Sequence, residues 1–189
     1  IGDTEDPNYI QEPDAGSGGS ADQNTGGAFV LPEGASKNWA RPNSGSQTID
    51  GSYRSIEYFN ALGFDHTGVD LDNAFAGDVF AACDGVVEEV NITPNISDLA
   101  STSSNSFVIN CGGGIQVTNS HTKNTLGLSK GSQVKAGDKI GETDLSGITS
   151  GAHVHFGVRI NNEWTDPVPF MKDRGVTLGT CNGGYCAQH

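Results

Sequence analysis

The chain has 189 residues, of which 34% are hydrophobic, 17% charged and 27 are glycine, and its formal net charge is −13. That charge repels nucleic-acid phosphates and anionic lipid headgroups, so neither is an expected partner. No apolar run approaches the roughly 18–20 residues that span a bilayer, so membrane insertion is not expected. Abundant glycine destabilises helix interiors and points to a turn-rich β protein with a modest core.

Residues 1–50 have little apolar periodicity. Residues 15–27, AGSGGSADQNTGG, read as a flexible linker. The other reading is an arm packed on the domain, anchored by Phe29, Val30, Leu31 and Trp39. The chain starts at Ile1 without a leader, as expected of a processed, exported chain. The expected organisation is an N-terminal arm or linker over 1–50 and one domain over 51–189. Asp50 to Asn60 fits a helical turn or a strand equally well.

From there β signals dominate. Val79 to Val90 reads as a hairpin turning at Asp84-Gly85. Asn91 to Asn105 is a polar loop, and its two Asn-x-Thr/Ser triplets, at Asn91 and Asn95, are read as loop polarity. Ser106 to Cys111 and Ile115 to His121 form a second hairpin around Gly112-Gly113-Gly114. Val134 to Gly141 is a short β element. His153 to Ile160 is a strand that turns at Asn161-Asn162. No long helix is evident.

The four cysteines, Cys83, Cys111, Cys181 and Cys186, are an even count and fit an oxidising compartment. Of their three possible pairings, Cys83–Cys111 and Cys181–Cys186 is the expected one. The first would join neighbouring strands, and the second would close a small turn-rich loop at the C-terminus.

Four of the five histidines fall into spaced motifs: His66-Thr-Gly-Val-Asp70, a lone His121, and His153-Val-His155. The fifth, His189, is the last residue. On a strand, residues i and i+2 share a face about 6.5–7 Å apart. This spacing suits one metal ligand and one group facing a bound water or substrate. Gly68 lets the backbone fold tightly enough for His66 and Asp70 to reach one centre. Together the motifs supply three metal ligands and two spare imidazoles. Three protein ligands with one open position is the design of a catalytic zinc site.

In this order the motifs resemble the lysostaphin/LytM-type zinc endopeptidases, also called the peptidoglycan endopeptidase or β-lytic family. The resemblance runs from about Gly63 to Met171. It rests on His66-Thr-Gly-Val-Asp70, Gly77 to Val87, His121, Val134-Lys-Ala-Gly-Asp-Lys-Ile-Gly141, Ser146 to Phe156, and Asp166-Pro167.

The resemblance implies a mainly β fold: a twisted antiparallel sheet with a groove holding one Zn²⁺, and few short helices. It implies that His66, Asp70 and His155 are the zinc ligands and that His121 and His153 are the catalytic pair. It further implies a secreted or periplasmic bacterial enzyme, here expected as a monomer, that cuts peptidoglycan cross-bridge or stem peptides. Other members cut Gly-rich proteins such as elastin, and degenerate relatives only bind or regulate. Three departures stand out. Asn119 occupies a position where the family often has Tyr, Ala152 and Val154 replace Pro and Leu around His153, and the loop after Asp70 is one residue short. All five site residues are present.

Overall fold

The computed structural model describes residues 32–91 and 104–188. The linker-like stretch 15–27, the anchors Phe29 to Leu31, both Asn-x-Thr/Ser triplets (beyond Asn91 itself) and His189 lie outside the described residues.

Among the described residues, twelve strands and two short helices follow one another. They are β1 (Thr48–Gly51), α1 (Ile56–Leu62), β2 (Gly68–Asp72), β3 (Asp78–Phe80), β4 (Gly85–Asn91), β5 (Ser106–Gly112) and β6 (Ile115–Ser120). After these come β7 (Thr122–Lys123), β8 (Gln133–Val134), β9 (Lys139–Thr143), β10 (His153–Ile160), β11 (Glu163–Thr165), α2 (Pro167–Lys172) and β12 (Thr180–Cys181). The large, twisted sheet has the order β12-β1-β2-β10-β6-β5-β4-β8, with β11 paired to β10, and β3-β9-β7 form a small second sheet.

Side-chain alternation sets the two faces of the large sheet. Val154, Phe156 and Val158 of β10 are fully buried, as are Val69 and Leu71 of β2 and Ile115 and Val117 of β6. These side chains form the core with Phe107 and Ile109 of β5. The intervening residues, among them Asp70, Ser120, His153 and His155, therefore share the opposite face.

The segment 50–60, ambiguous in sequence, holds both the end of a strand and a helix. Ser55 caps α1 by accepting from the Tyr58 backbone N–H, and Gly63 ends it at φ 82°, a conformation that glycine adopts without strain. Asp166 caps α2 in the same way, and proline opens the helix.

Three details of the expected fold need correction. The Val79–Val90 segment is not a hairpin. β3 pairs with β9 in the small sheet, whereas β4 pairs with β5 and β8 in the large one. The buried run Ala81-Ala82-Cys83 crosses between the sheets. The Asp84 carboxylate accepts from Ala136 N and Asn38 Nδ2, so it ties loops together rather than shaping a two-residue turn. The short element after Val134 likewise divides between the two sheets, as β8 and β9. The large sheet is also mixed, because β12 returns beside β1 in parallel.

Residues 35–43 run along the inter-sheet segment. Trp39 pairs with Cys83 and Asn43 with Val79, and Trp39 packs edge-on against Phe170 at 5.2 Å. Both disulfides form as expected, Cys83–Cys111 and Cys181–Cys186. The first joins the crossing segment to β5 rather than two neighbouring strands.

The first disulfide closes a loop of 28 residues' separation and the second one of 5. Chain-entropy reasoning gives about 3.5 kcal/mol for the longer loop and about 2 kcal/mol for the shorter. We therefore expect Cys83→Ala/Cys111→Ala to lower the urea unfolding free energy more than Cys181→Ala/Cys186→Ala. Equal losses in the two denaturation curves would contradict this.

Candidate active site

The pairing of β2 with β10 sets Asp70 directly opposite His155, and β6 places Ser120 on the other side of His155. His66 enters just before β2. Adding a Cβ at Gly68 would bring it 2.4 Å from the Phe156 carbonyl oxygen and 2.8 Å from His155 Nε2. Glycine is therefore required there for the two strands to approach with both histidines in place.

Three donor atoms converge. His66 Nε2 lies 3.1 Å from Asp70 Oδ1 and 3.0 Å from His155 Nδ1, and the latter lies 3.0 Å from Asp70 Oδ1. His66 Nδ1 donates to the Ser52 carbonyl at 2.6 Å. In neutral His66 this leaves a lone pair on Nε2, aimed at a carboxylate oxygen. Acceptor atoms facing one another repel unless a cation or proton lies among them. Two imidazole nitrogens and one carboxylate oxygen form a set that zinc accepts, and ligands around a tetrahedral zinc with bonds of 2.0–2.1 Å sit about 3.3 Å apart. The observed separations fit such an ion.

His153 and His121 stand beside this cluster. His153 Nε2 is 3.4 Å from Asp70 Oδ1, and the His121 and His153 ring centroids are 4.5 Å apart. Each of the two rings has Nδ1 against a backbone carbonyl: Ser146 at 2.6 Å for His121 and Gly151 at 2.8 Å for His153. All five residues named from sequence thus meet at one place.

Electrostatics follow from burial and crowding. Burial alone would push the Asp70 carboxyl up, but the crowding of His153, His155 and His66 around it holds it well below the usual carboxylate range. Burial, reinforced by His153, pushes His121 down to about 4. Burial lowers His155 as well, which favours the neutral imidazole that metal binding would require.

Sequence reasoning missed Tyr58, on α1. Its hydroxyl donates to Asp70 Oδ2, and its ring stacks on His66 at 4.2 Å. With Oδ2 held by the phenol, Oδ1 is the oxygen left to face the histidines. The only sequence signal for Tyr58 was the Ser55 cap that starts its helix. Ser52 was also missed, since it acts through its backbone carbonyl. Its N–H and hydroxyl donate to the Tyr185 carbonyl, which ties the C-terminal disulfide loop to the site. Asn119 takes no part in the site: it is fully buried on the core face of β6, and its amide has no partner among the described residues. A concavity of about 550 Å³ between Ser36, β4 and Lys130 holds none of these histidines.

One face of the β-sheet thus presents a His/Asp/His cluster that could hold a metal ion, beside two further imidazoles. Residues 64–167, more than half of the chain, match the family model described as Peptidase family M23, and the chain belongs to that family. Among solved structures, the fold is similar to the antimicrobial peptidase lysostaphin from Staphylococcus simulans (21% identity, 85% of this chain, 60% of that chain, TM-score 0.55). It is similar to a zinc-containing peptidase from Vibrio cholerae (21%, 74% of this chain, 40% of that chain, TM-score 0.51). It also resembles the catalytic domain of the prophage-encoded M23 protein EnpA from Enterococcus faecalis (22%, 67% of this chain, 94% of that chain, TM-score 0.54). At these identities the likeness is one of fold. The chain spans well under two thirds of the Vibrio protein's length.

The His121 shift has a stability consequence. Its folded pKa, about 4, lies below the ordinary 6.5. Between these values the unfolded chain binds a proton that the folded chain does not, so stability falls as pH drops from about 6.5 to about 4. Relative to His121→Gln, the chelator-treated wild type should lose up to about 3 kcal/mol over this window. Parallel pH profiles of the two unfolding free energies would refute the assignment.

Proposed function

We propose that the chain is a secreted bacterial zinc metalloendopeptidase that hydrolyses peptide bonds of cell-wall peptidoglycan, in the cross-bridge or the stem peptide. The observation that carries this reading is the convergence of His66, Asp70 and His155 with His121 and His153 on one sheet face. Membership of a peptidase family supports hydrolysis. The antimicrobial activity in the name of one structural relative supports a bacterial wall as target. Two disulfides support an oxidising compartment. Among the described residues, no helix is long and apolar enough to cross a membrane.

His66 Nε2, Asp70 Oδ1 and His155 Nδ1 would hold the ion. Bound there, zinc supplies a Lewis acid that acidifies a water and polarises the scissile carbonyl. Tyr58 fixes the Asp70 carboxylate, and the Ser52 carbonyl fixes the His66 ring. His121 and His153 each present Nδ1–H to a backbone carbonyl, which leaves Nε2 as the working nitrogen. One imidazole takes the proton of the attacking water and passes it to the leaving amine as the C–N bond breaks. The other, as an imidazolium protonated at Nε2 as well, donates that N–H to the oxyanion.

An intact set of five side chains favours this enzyme over a wall-binding module. Digestion of purified peptidoglycans of differing cross-bridge, with mass spectrometry of the fragments, tests the reaction. Chelator-sensitive new termini are expected, and no cleavage of any wall by folded, zinc-loaded protein would refute it. His155→Ala should abolish stoichiometric zinc binding. His153→Ala should keep zinc and lose turnover by about 10²–10⁴-fold. Tyr58→Phe should weaken zinc binding about 10–100-fold in a competition titration, and unchanged affinity would remove Tyr58 from the account.

A further inference from the structure

Asp144 is 1% exposed, carries a carboxylate, and is neither a metal ligand nor one of the two catalytic imidazoles. A buried carboxylate is costly unless its lone pairs are met. Here Oδ1 accepts from the Ser146 N–H at 2.9 Å and the Ser146 hydroxyl at 2.6 Å, and Oδ2 accepts from the Asn105 side-chain amide at 2.5 Å. The Asn105 backbone N–H in turn donates to the Ser146 hydroxyl at 2.8 Å.

Everything this network grips is attached to His121. The carbonyl of Ser146 accepts from His121 Nδ1, and the Asp144 backbone N–H donates to the carbonyl of His121 at 2.8 Å. The hydroxyl of Ser104, next to Asn105, accepts from the His121 backbone N–H at 2.9 Å. Thr122 N donates to the Asn105 carbonyl at 3.0 Å. Gly147, at φ 78°, lets this turn close on Ser104, since a Cβ there would sit 2.8 Å from the Ser104 Cβ.

His121 itself has φ 57°, a left-handed conformation that a non-glycine residue holds only when its surroundings enforce it. Two separate chain segments, 104–105 and 144–146, therefore close around His121.

We infer that Asp144, through Ser146, is the positioning residue that fixes the tautomer and orientation of His121; this rests on the catalytic pair proposed above, with His121 as its proton-accepting member. The Asp144 carboxylate sets the direction of the Ser146 carbonyl. That carbonyl holds the proton on Nδ1 and so keeps Nε2 free to accept one. Asp144 lies outside the three-ligand cluster, so its loss should spare the metal.

The test uses zinc-loaded full-length protein with ¹⁵N-labelled histidine. Long-range ¹H–¹⁵N spectra of wild type should show His121 as a single species protonated at Nδ1. In Asp144→Ala and Ser146→Ala that signal should give way to mixed tautomers, while zinc content stays stoichiometric. On a wall fragment that the wild type cleaves, kcat should fall about 10–100-fold with KM little changed. Ser146→Thr, which keeps the hydroxyl, should restore both the single tautomer and most of kcat.

An unchanged His121 spectrum in both alanine variants would overturn the inference. So would loss of zinc in step with loss of activity, since the network would then support the whole site. Should Asp144→Ala not fold, Ser146→Ala decides alone. If the wild type cleaves no wall, the functional reading fails while the tautomer measurement still decides the role of Asp144.

Discussion

The site depends first on a backbone register. β2 and β10 pair so that Asp70 and His155 are direct partners, with their side chains on the face opposite Val69, Leu71, Val154 and Phe156. Hydrogen bonds of the central sheet and burial of those four apolar side chains fix the register. A slip by one residue would carry Asp70 and His155 into the core and expose the apolar set. The chemistry is therefore placed by the hydrophobic effect acting on alternate residues of the same two strands.

Around that pair, the remaining groups are held from outside the central strands. His66 is oriented by a backbone carbonyl, Asp70 by a phenol from α1, and His121 by a buried polar turn. The ties on His66 and His121 use buried groups whose alternative would be an unpaired donor or acceptor, so breaking one costs more than the bond itself contributes. The C-terminal disulfide loop joins this support through Tyr185 and Ser52. Rigid elements and their braces together hold the three side chains in place, as a precise metal site requires.

Much of the site was legible in sequence. His-x-His on an alternating strand put two imidazoles on one face, and His66-x-Gly-x-Asp70 put a ligand pair beside a glycine whose absence of side chain proves necessary. The second hairpin and both disulfides could also be read. The first hairpin was misread because Asp84-Gly85 carries the local signature of a turn between paired strands. What decides its fate is non-local: β9 and β5 capture the two flanks, and Cys83 binds Cys111 in between. Tyr58 and Asp144 were invisible for a related reason. Both act on residues that only the tertiary fold brings near, Tyr58 twelve positions from Asp70 and Asp144 twenty-three from His121. Neither lies in a motif with its partner. Asn119, which stands where the family often has Tyr, is turned into the core by its strand and does not reach the site.

The most direct test of the account is X-ray absorption spectroscopy of the zinc-loaded protein at the metal edge. The account predicts a four-coordinate ion with two imidazole nitrogens and light oxygen ligands, all at about 2.0–2.1 Å. A shell containing sulfur, a hydrated six-coordinate ion, or a spectrum without imidazole scattering would contradict the claim that His66, Asp70 and His155 form the centre.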